Sequence, residues 1–94
     1  MSYSVEWSKA ATKQLLGIPK KQRLIIFSWV QEHLDGCDDP RRAPNGKQLQ
    51  GTDSGWRWRV GVYRILARIE DGKAVIEVVR VGHRQGVYKN MPRL

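Results

Sequence analysis

Cationic and aromatic side chains alternate in Trp56-Arg57-Trp58-Arg59 and recur in Tyr63-Arg64, His83-Arg84 and Tyr88. A guanidinium stays charged at neutral pH, so these arginines can grip phosphate oxygens and neutralise charge that develops on them, but they cannot take up a proton. Rings interleaved with such charges offer a stacking platform to unpaired bases. The chemistry this set suits best is that of a single-stranded nucleic acid. His83 is the candidate proton acceptor; its alternative is a strand-end ring packed on the core. Tyr88 either stacks on a base or fills a groove at the sheet edge. Val81-Gly82-His83-Arg84 closes a strand in a glycine, where backbone can approach a ligand closely.

Other chemistries find no footing. Asp38-Asp39 and Glu70-Asp71 fall on turns without the histidine or carboxylate company of a metal site, so no metal or cofactor is expected. There is no glycine-rich phosphate loop, and no serine or cysteine pairs recognisably with a histidine.

The elements that must position the arginines follow from periodicity. Tyr3, Val5 and Trp7 alternate as a short strand; Ser8 caps a helix from Lys9 to about Leu16, stopped by Gly17. Pro19 opens a second helix carrying Ile26, Phe27, Val30 and Leu34 on one face and ending at Asp35-Gly36. Residues 37–54 read as a connection, within which Leu49 docks on the core. Trp56 to Val60 and Val62 to Ile69 are strands with Gly61 as a kink or bulge site, Asp71-Gly72 is a hairpin turn, and Ala74 to Val81 is the next strand. Val87-Tyr88 is a candidate for a short extra strand. The expected fold is α+β, a single domain over residues 1–94. Two antiparallel helices pack on one face of a mainly antiparallel four-stranded sheet in the order β-α-α-β-β-β. A period of two puts Arg57 and Arg59 opposite Trp56, Trp58 and Val60, and groups Arg64 and Arg68 with Val62 and Leu66. No helix remains to cover the arginine face, which must meet solvent or a partner.

Composition agrees with a small basic domain. The chain has 94 residues and a net charge of +8. Lys/Arg and Asp/Glu balance at five each over residues 1–40, whereas residues 41–94 hold twelve against four, so the excess lies on the half that bears the arginines. Cys37 is the lone cysteine, which excludes an internal disulfide. The N-terminus does not read as a signal peptide, and the longest apolar run, Leu24 to Phe27, is too short for a membrane span. A cytoplasmic protein without a membrane partner is expected.

Leu49-Gln50-Gly51, Trp56-Arg57-Trp58-Arg59-Val60-Gly61, Val62-Tyr63-Arg64-Ile65, and Val81-Gly82-His83-Arg84 with Val87-Tyr88 form an ordered set. This set, the element order and the length resemble the RelE/ParE superfamily of bacterial toxin–antitoxin toxins across essentially the whole chain. RelE-type members are ribosome-dependent endoribonucleases that cut messenger RNA in the decoding site, and a cognate antitoxin holds them inactive. ParE-type members share the fold but poison DNA gyrase and lack the catalytic charges. The resemblance to the RelE branch implies 2′-hydroxyl attack on the neighbouring phosphate, giving 2′,3′-cyclic phosphate and 5′-hydroxyl ends without a cofactor. On that pattern Arg59, Arg64, Arg84 and Tyr88 belong to the catalytic set, with His83 as its candidate base. The same pattern implies RNA binding by Arg57, which would grip phosphate, and by Lys47 and Lys89, which would meet the 16S ribosomal RNA of the 70S ribosome. The best-studied RelE pattern has lysines where Arg57 and Arg59 stand, and arginine is a poor base. The proton acceptor is therefore either His83 or no discrete side chain. DNA would be met only through a complex with the antitoxin. The remaining alternatives are a gyrase-poisoning toxin and a plain RNA-binding module.

Overall fold

The computed structural model describes residues 2–91 and 94. The elements are β1 (Ser4–Trp7), α1 (Lys9–Leu16), α2 (Lys20–His33), β2 (Gly46–Gln48), β3 (Gly55–Val60), β4 (Tyr63–Glu70) and β5 (Val75–His83), with single 3-10 turns at Pro40–Arg42 and Asp71–Lys73. They form one sheet in the order β1-β5-β4-β3-β2, parallel between β1 and β5 and antiparallel elsewhere. The expected two-layer α+β architecture is what the chain adopts, with five strands. The additional strand is β2, inside the connection, and not Val87-Tyr88, which lies in a turn. Gly46 makes β2 possible. A Cβ there would stand 2.7 Å from Trp56 Nε1 and 2.8 Å from Trp58 Cδ1, so only glycine lets this strand run beside the tryptophans.

Helix α1 starts where Ser8, in extended conformation, accepts the Ala11 N–H on its Oγ at 3.0 Å. The helix also finishes the edge of β5. Strand β1 pairs only as far as Val78; beyond it the Ser8 N–H donates to Val78 O at 3.0 Å and Gln14 Oε1 accepts the Val81 N–H at 3.0 Å. On α2 the buried stripe is Ile26 and Val30, continued by Leu34 at its C-cap. Phe27, expected with them, sits about 100° further round the helix. It remains 41% exposed, stacked on Trp7 at 6.2 Å between ring centroids.

The core lies between the helices and one sheet face, where Trp58, Val60, Ile65, Ala67, Ile69, Ile76, Val78 and Val81 meet Ala11, Leu15, Ile26, Val30 and Leu34. Trp58 is fully buried and donates its indole N–H to Pro40 O at 3.3 Å. Gly61 does not kink a strand; with Val62 it forms the two-residue turn between Val60 and Tyr63, at φ +61°, where a side chain would be strained. The second hairpin is longer than Asp71-Gly72 alone, running over residues 71–74 between the paired Glu70 and Val75. Its Asp71 is tied down: Tyr3 donates its hydroxyl to Oδ1 at 2.5 Å and Arg41 donates to both oxygens at 3.1 and 2.9 Å.

Strand β5 carries a bulge. Leu66 faces Arg80 and Ala67 faces Val78, which leaves Val79 as the extra residue. The alternation changes phase there: Ile76 and Val78 point to the helices before it and Val81 after it, so Arg80 and Gly82 turn to the arginine face. That face is less open than the strand count suggests. Leu66 and Val87 are buried on it, outside the helix-side core, because the segment after β5 folds back over the sheet.

Two outcomes follow. Leu66→Ala should lower unfolding free energy by about 2–5 kcal/mol in urea titration, whereas Val62→Ala on the exposed turn should change it by less than about 0.5 kcal/mol. The Arg41 guanidinium and the Tyr3 hydroxyl hold the Asp71 carboxyl below the usual carboxylate range. Stability from this contact is present above the unfolded pKa of about 4 and lost as pH falls through the lower folded value. Asp71→Asn should therefore reduce stability at neutral pH and flatten the acid limb of a melting-temperature curve.

Candidate nucleic-acid interface

The β3–β4 register fixes the centre of the site. Trp58 pairs with Ile65 on the helix side, and one step on Arg59 stands directly opposite Arg64 on the other side. Like charges facing each other across a ladder are destabilising. Arg64 is flanked on its other side by Gly82. Arg64 Nη1 donates to Gly61 O at 3.2 Å and Tyr63 O at 3.1 Å, which holds it at the hairpin. Arg59 reaches Asn45 Oδ1 at 3.5 Å. Arg84 lies just past β5, its backbone N–H bonded to Val62 O at 2.8 Å, so the chain beyond the strand is pinned to the β3–β4 turn.

These residues line one shallow cavity of about 580 Å³, together with Arg57, Gln85 and Tyr88. Among the described residues no carboxylate lies within ion-pair distance of Arg57, Arg59, Arg64 or Arg84. Elsewhere on the molecule arginines do find carboxylates: Arg68 pairs with Glu77 at 2.8 Å and Arg41 with Asp71 at 2.9 Å. A basin of four uncompensated guanidiniums is a site for a polyanion. A second groove, about 820 Å³, shares Arg57 and Tyr88 with the basin and runs along Lys47, Gln48, Leu49 and Gln50 to Met91 and Leu94. Tyr88, 42% exposed, thus stands between the two.

The sequence set is therefore brought together in most of its members. Arg57, Arg59, Arg64, Arg84 and Tyr88 converge, and Lys47 lies along the adjoining groove. His83 does not join them. It pairs with Tyr63 in the strand register and meets that ring edge-on at 6.0 Å, on the helix side of the sheet. Its Nδ1 accepts the Gln85 N–H at 3.2 Å, which leaves Nε2 as the protonated nitrogen of the neutral ring. Lys89 is exposed on the turn after Tyr88 and lines neither cavity. Gly82 is approached by Val87, whose side chain lies 3.4 Å from where a Cβ would stand, and not by open space for a ligand. Sequence reasoning passed over Gln85, which had no partner in the charge pattern to mark it. Among the described residues no group of three or more His, Cys, Asp or Glu side chains could hold a metal ion, and no helix is long and apolar enough to cross a membrane.

Binding to such a basin releases counterions from the nucleic acid. Affinity for a single-stranded oligonucleotide should fall with salt, and replacing any one of Arg57, Arg59, Arg64 or Arg84 by Gln should reduce the slope of log K against log salt by about 0.7. Fluorescence titrations across a salt series would measure it.

Residues 5–88 match the family described as ParE toxin of type II toxin–antitoxin system, parDE. Toxin RelG of Mycobacterium tuberculosis is 30% identical over 91 residues, covering 95% of this chain and 99% of its own. A putative toxin RelE1 of Methanocaldococcus jannaschii is 29% identical over 90 residues, covering 96% and 99%. Among solved structures, the archaeal RelE–RelB complex of Pyrococcus horikoshii contains a chain that superposes with a TM-score of 0.73 at 25% identity, over 93% of this chain and all of that one. The family match over residues 5–88 and a relative that spans this chain nearly from end to end agree with the fold, and the chain belongs to the RelE/ParE superfamily of type II toxin–antitoxin toxins.

Proposed function

We propose that this toxin is an endoribonuclease that cuts messenger RNA in the decoding site of the 70S ribosome and so stops translation. The observation that carries the reading is the convergence of Arg57, Arg59, Arg64 and Arg84 with Tyr88 on one cavity, with the like-charged Arg59 and Arg64 held face to face. A fold that tolerates that repulsion, and leaves it without carboxylates, retains it for a ligand rather than for stability.

The chemistry is attack of a ribose 2′-oxygen on the adjacent phosphorus, with loss of the 5′-oxygen of the next nucleotide. The products are a 2′,3′-cyclic phosphate and a 5′-hydroxyl. Arg64 and Arg84 neutralise the charge on the non-bridging oxygens in the pentavalent state, Arg84 lying toward the leaving oxygen. Arg57 and Arg59 hold phosphates on either side, Tyr88 stacks on a base, and Lys47 and Lys89 extend the cationic surface toward 16S ribosomal RNA. The positive charge comes from side chains, so no metal is required of the protein. His83 faces away from the basin, which favours a mechanism without a dedicated side-chain base. The 2′-proton passes to solvent or to a group of the ribosomal complex, the departing 5′-oxygen takes up a proton from the same sources, and the rate rests on charge and alignment.

A cognate antitoxin is the second partner. Relatives in solved structures occur as RelB–RelE complexes. On this chain α2 leaves Leu24 and Ile25 each 52% exposed beside Ser28, Trp29 and Glu32, an apolar strip suited to an amphipathic segment that then reaches the basic face. DNA contact would come only through that complex. The competing reading, a gyrase poison, draws on the ParE description of the matched family.

Primer extension on a message translated in a purified bacterial system tests the proposal. Wild-type protein should leave new breaks within codons that depend on ribosomes. Arg84→Ala should cut about 10²–10³-fold more slowly while still co-sedimenting with ribosomes. Parallel loss of both activities would remove Arg84 from the catalytic set. Absence of breaks at a dose that arrests growth, with inhibited supercoiling by gyrase, would establish the competing reading.

A further inference from the structure

Arg80 occupies an unusual position among the arginines of the sheet. The β5 bulge turns it to the arginine face, opposite Leu66. It has no ion-pair partner among the described residues, yet it does not line the basin. Its donors go to main-chain carbonyls instead. Nη1 donates to Val87 O at 3.0 Å and to Lys89 O, and Nη2 donates to Asn90 O at 3.0 Å. These carbonyls close the turn after β5, in which the Gly86 and Val87 N–H groups bond to His83 O and the Lys89 N–H bonds to Gly86 O. Asn90, at φ +51°, ends the turn in the left-handed region. Carbonyls of a turn that find no donor within the turn need one from elsewhere, and the Arg80 guanidinium supplies it here.

The bonded carbonyls lie on both sides of residue 88. Val87 before it is buried, and Lys89 and Asn90 after it are held by the same guanidinium. The backbone that carries the Tyr88 ring is thus bracketed, which sets where the ring stands between the basin and its adjoining groove. We propose that Arg80 is a positioning residue: by clamping the carbonyls of Val87, Lys89 and Asn90 it fixes Tyr88 beside Arg57 for stacking on an RNA base. The stacking role rests on the endoribonuclease reading; the clamp itself does not. A rigid planar fork is what spans several carbonyls at once, so a lysine at this position keeps the charge and loses the clamp.

The test uses Arg80→Met, Arg80→Lys, Tyr88→Ala and the double variant Arg80→Met/Tyr88→Ala. In the free protein, hydrogen exchange at the Val87 and Lys89 amides should speed up by roughly tenfold or more in both Arg80 variants, with sheet amides unchanged. In the translation system both Arg80 variants should lose cleavage by about the factor that Tyr88→Ala does. The double variant should cut no more slowly than Tyr88→Ala alone. Unchanged exchange at residues 87 and 89 would overturn the clamp. Faster exchange with multiplicative losses in the double variant would overturn the link to Tyr88 and assign Arg80 a separate role on the substrate. Should Arg80→Met melt early, Arg80→Lys, which keeps the stem over Leu66, carries the comparison. If wild-type protein leaves no breaks, the nuclease reading fails and takes the stacking role with it, while exchange still decides whether Arg80 holds the turn.

Discussion

The register of the β3–β4 hairpin is the constraint on which the molecule depends. With Gly61-Val62 as the turn, Trp58 meets Ile65 under the helices and Arg59 meets Arg64 on the far side. A slip of one residue would send the arginines into the core and the tryptophans to solvent, because side chains alternate with a period of two. Burial of Trp58 and Ile65 and repulsion between Arg59 and Arg64 are thus two faces of one register. The apolar side supplies the stability that lets the cationic side exist.

The basin is accordingly built from rigid parts. Three of its arginines sit on paired strands, and Arg84 is fixed one bond from the hairpin turn by its N–H to Val62 O. A guanidinium array placed on a sheet needs little rearrangement to meet a phosphate, and prearranged charge is where electrostatic stabilisation draws its strength. The aromatic member is different. Tyr88 stands on a turn with no strand to support it, and its placement comes from a side chain that reaches over from β5.

Much of this arrangement was legible in the residues. The Trp-Arg alternation gave both faces of β3, Ser8 and Gly17 bounded α1, and strand parity put Arg57, Arg59 and Arg64 on one face, to which the family resemblance added Arg84 and Tyr88. The rest depended on long-range packing that local patterns do not encode. Strand β2 has only three residues and exists because Gly46 fits against two indoles, a fact about tertiary contact. The bulge at Val79 was visible only as the Val78-Val79 doublet, a break in alternation that also reads as ordinary apolar content. That missed phase change explains why Arg80 and the fold-back over Leu66 stayed hidden. The placement of His83 on the Tyr63 side likewise requires knowing which strand it faces. Phe27 differs again: an apolar residue at the margin of a helical stripe is left half-open when the helix is rotated by a fraction of a turn.

The parallel pairing of β1 with β5 has a consequence for the order of assembly. Ser4 lies against Val75, so the strand that begins the fold finds its partner only after about 70 further residues are available. The β3–β4–β5 meander joins neighbours through short turns, and contacts close in sequence form faster than distant ones. Topology thus favours a sequence of events in which the arginine-bearing hairpins gather first and the N-terminal strand seals the edge last. Until that happens the outer backbone of β5 is an unpaired edge, open to capture by another strand.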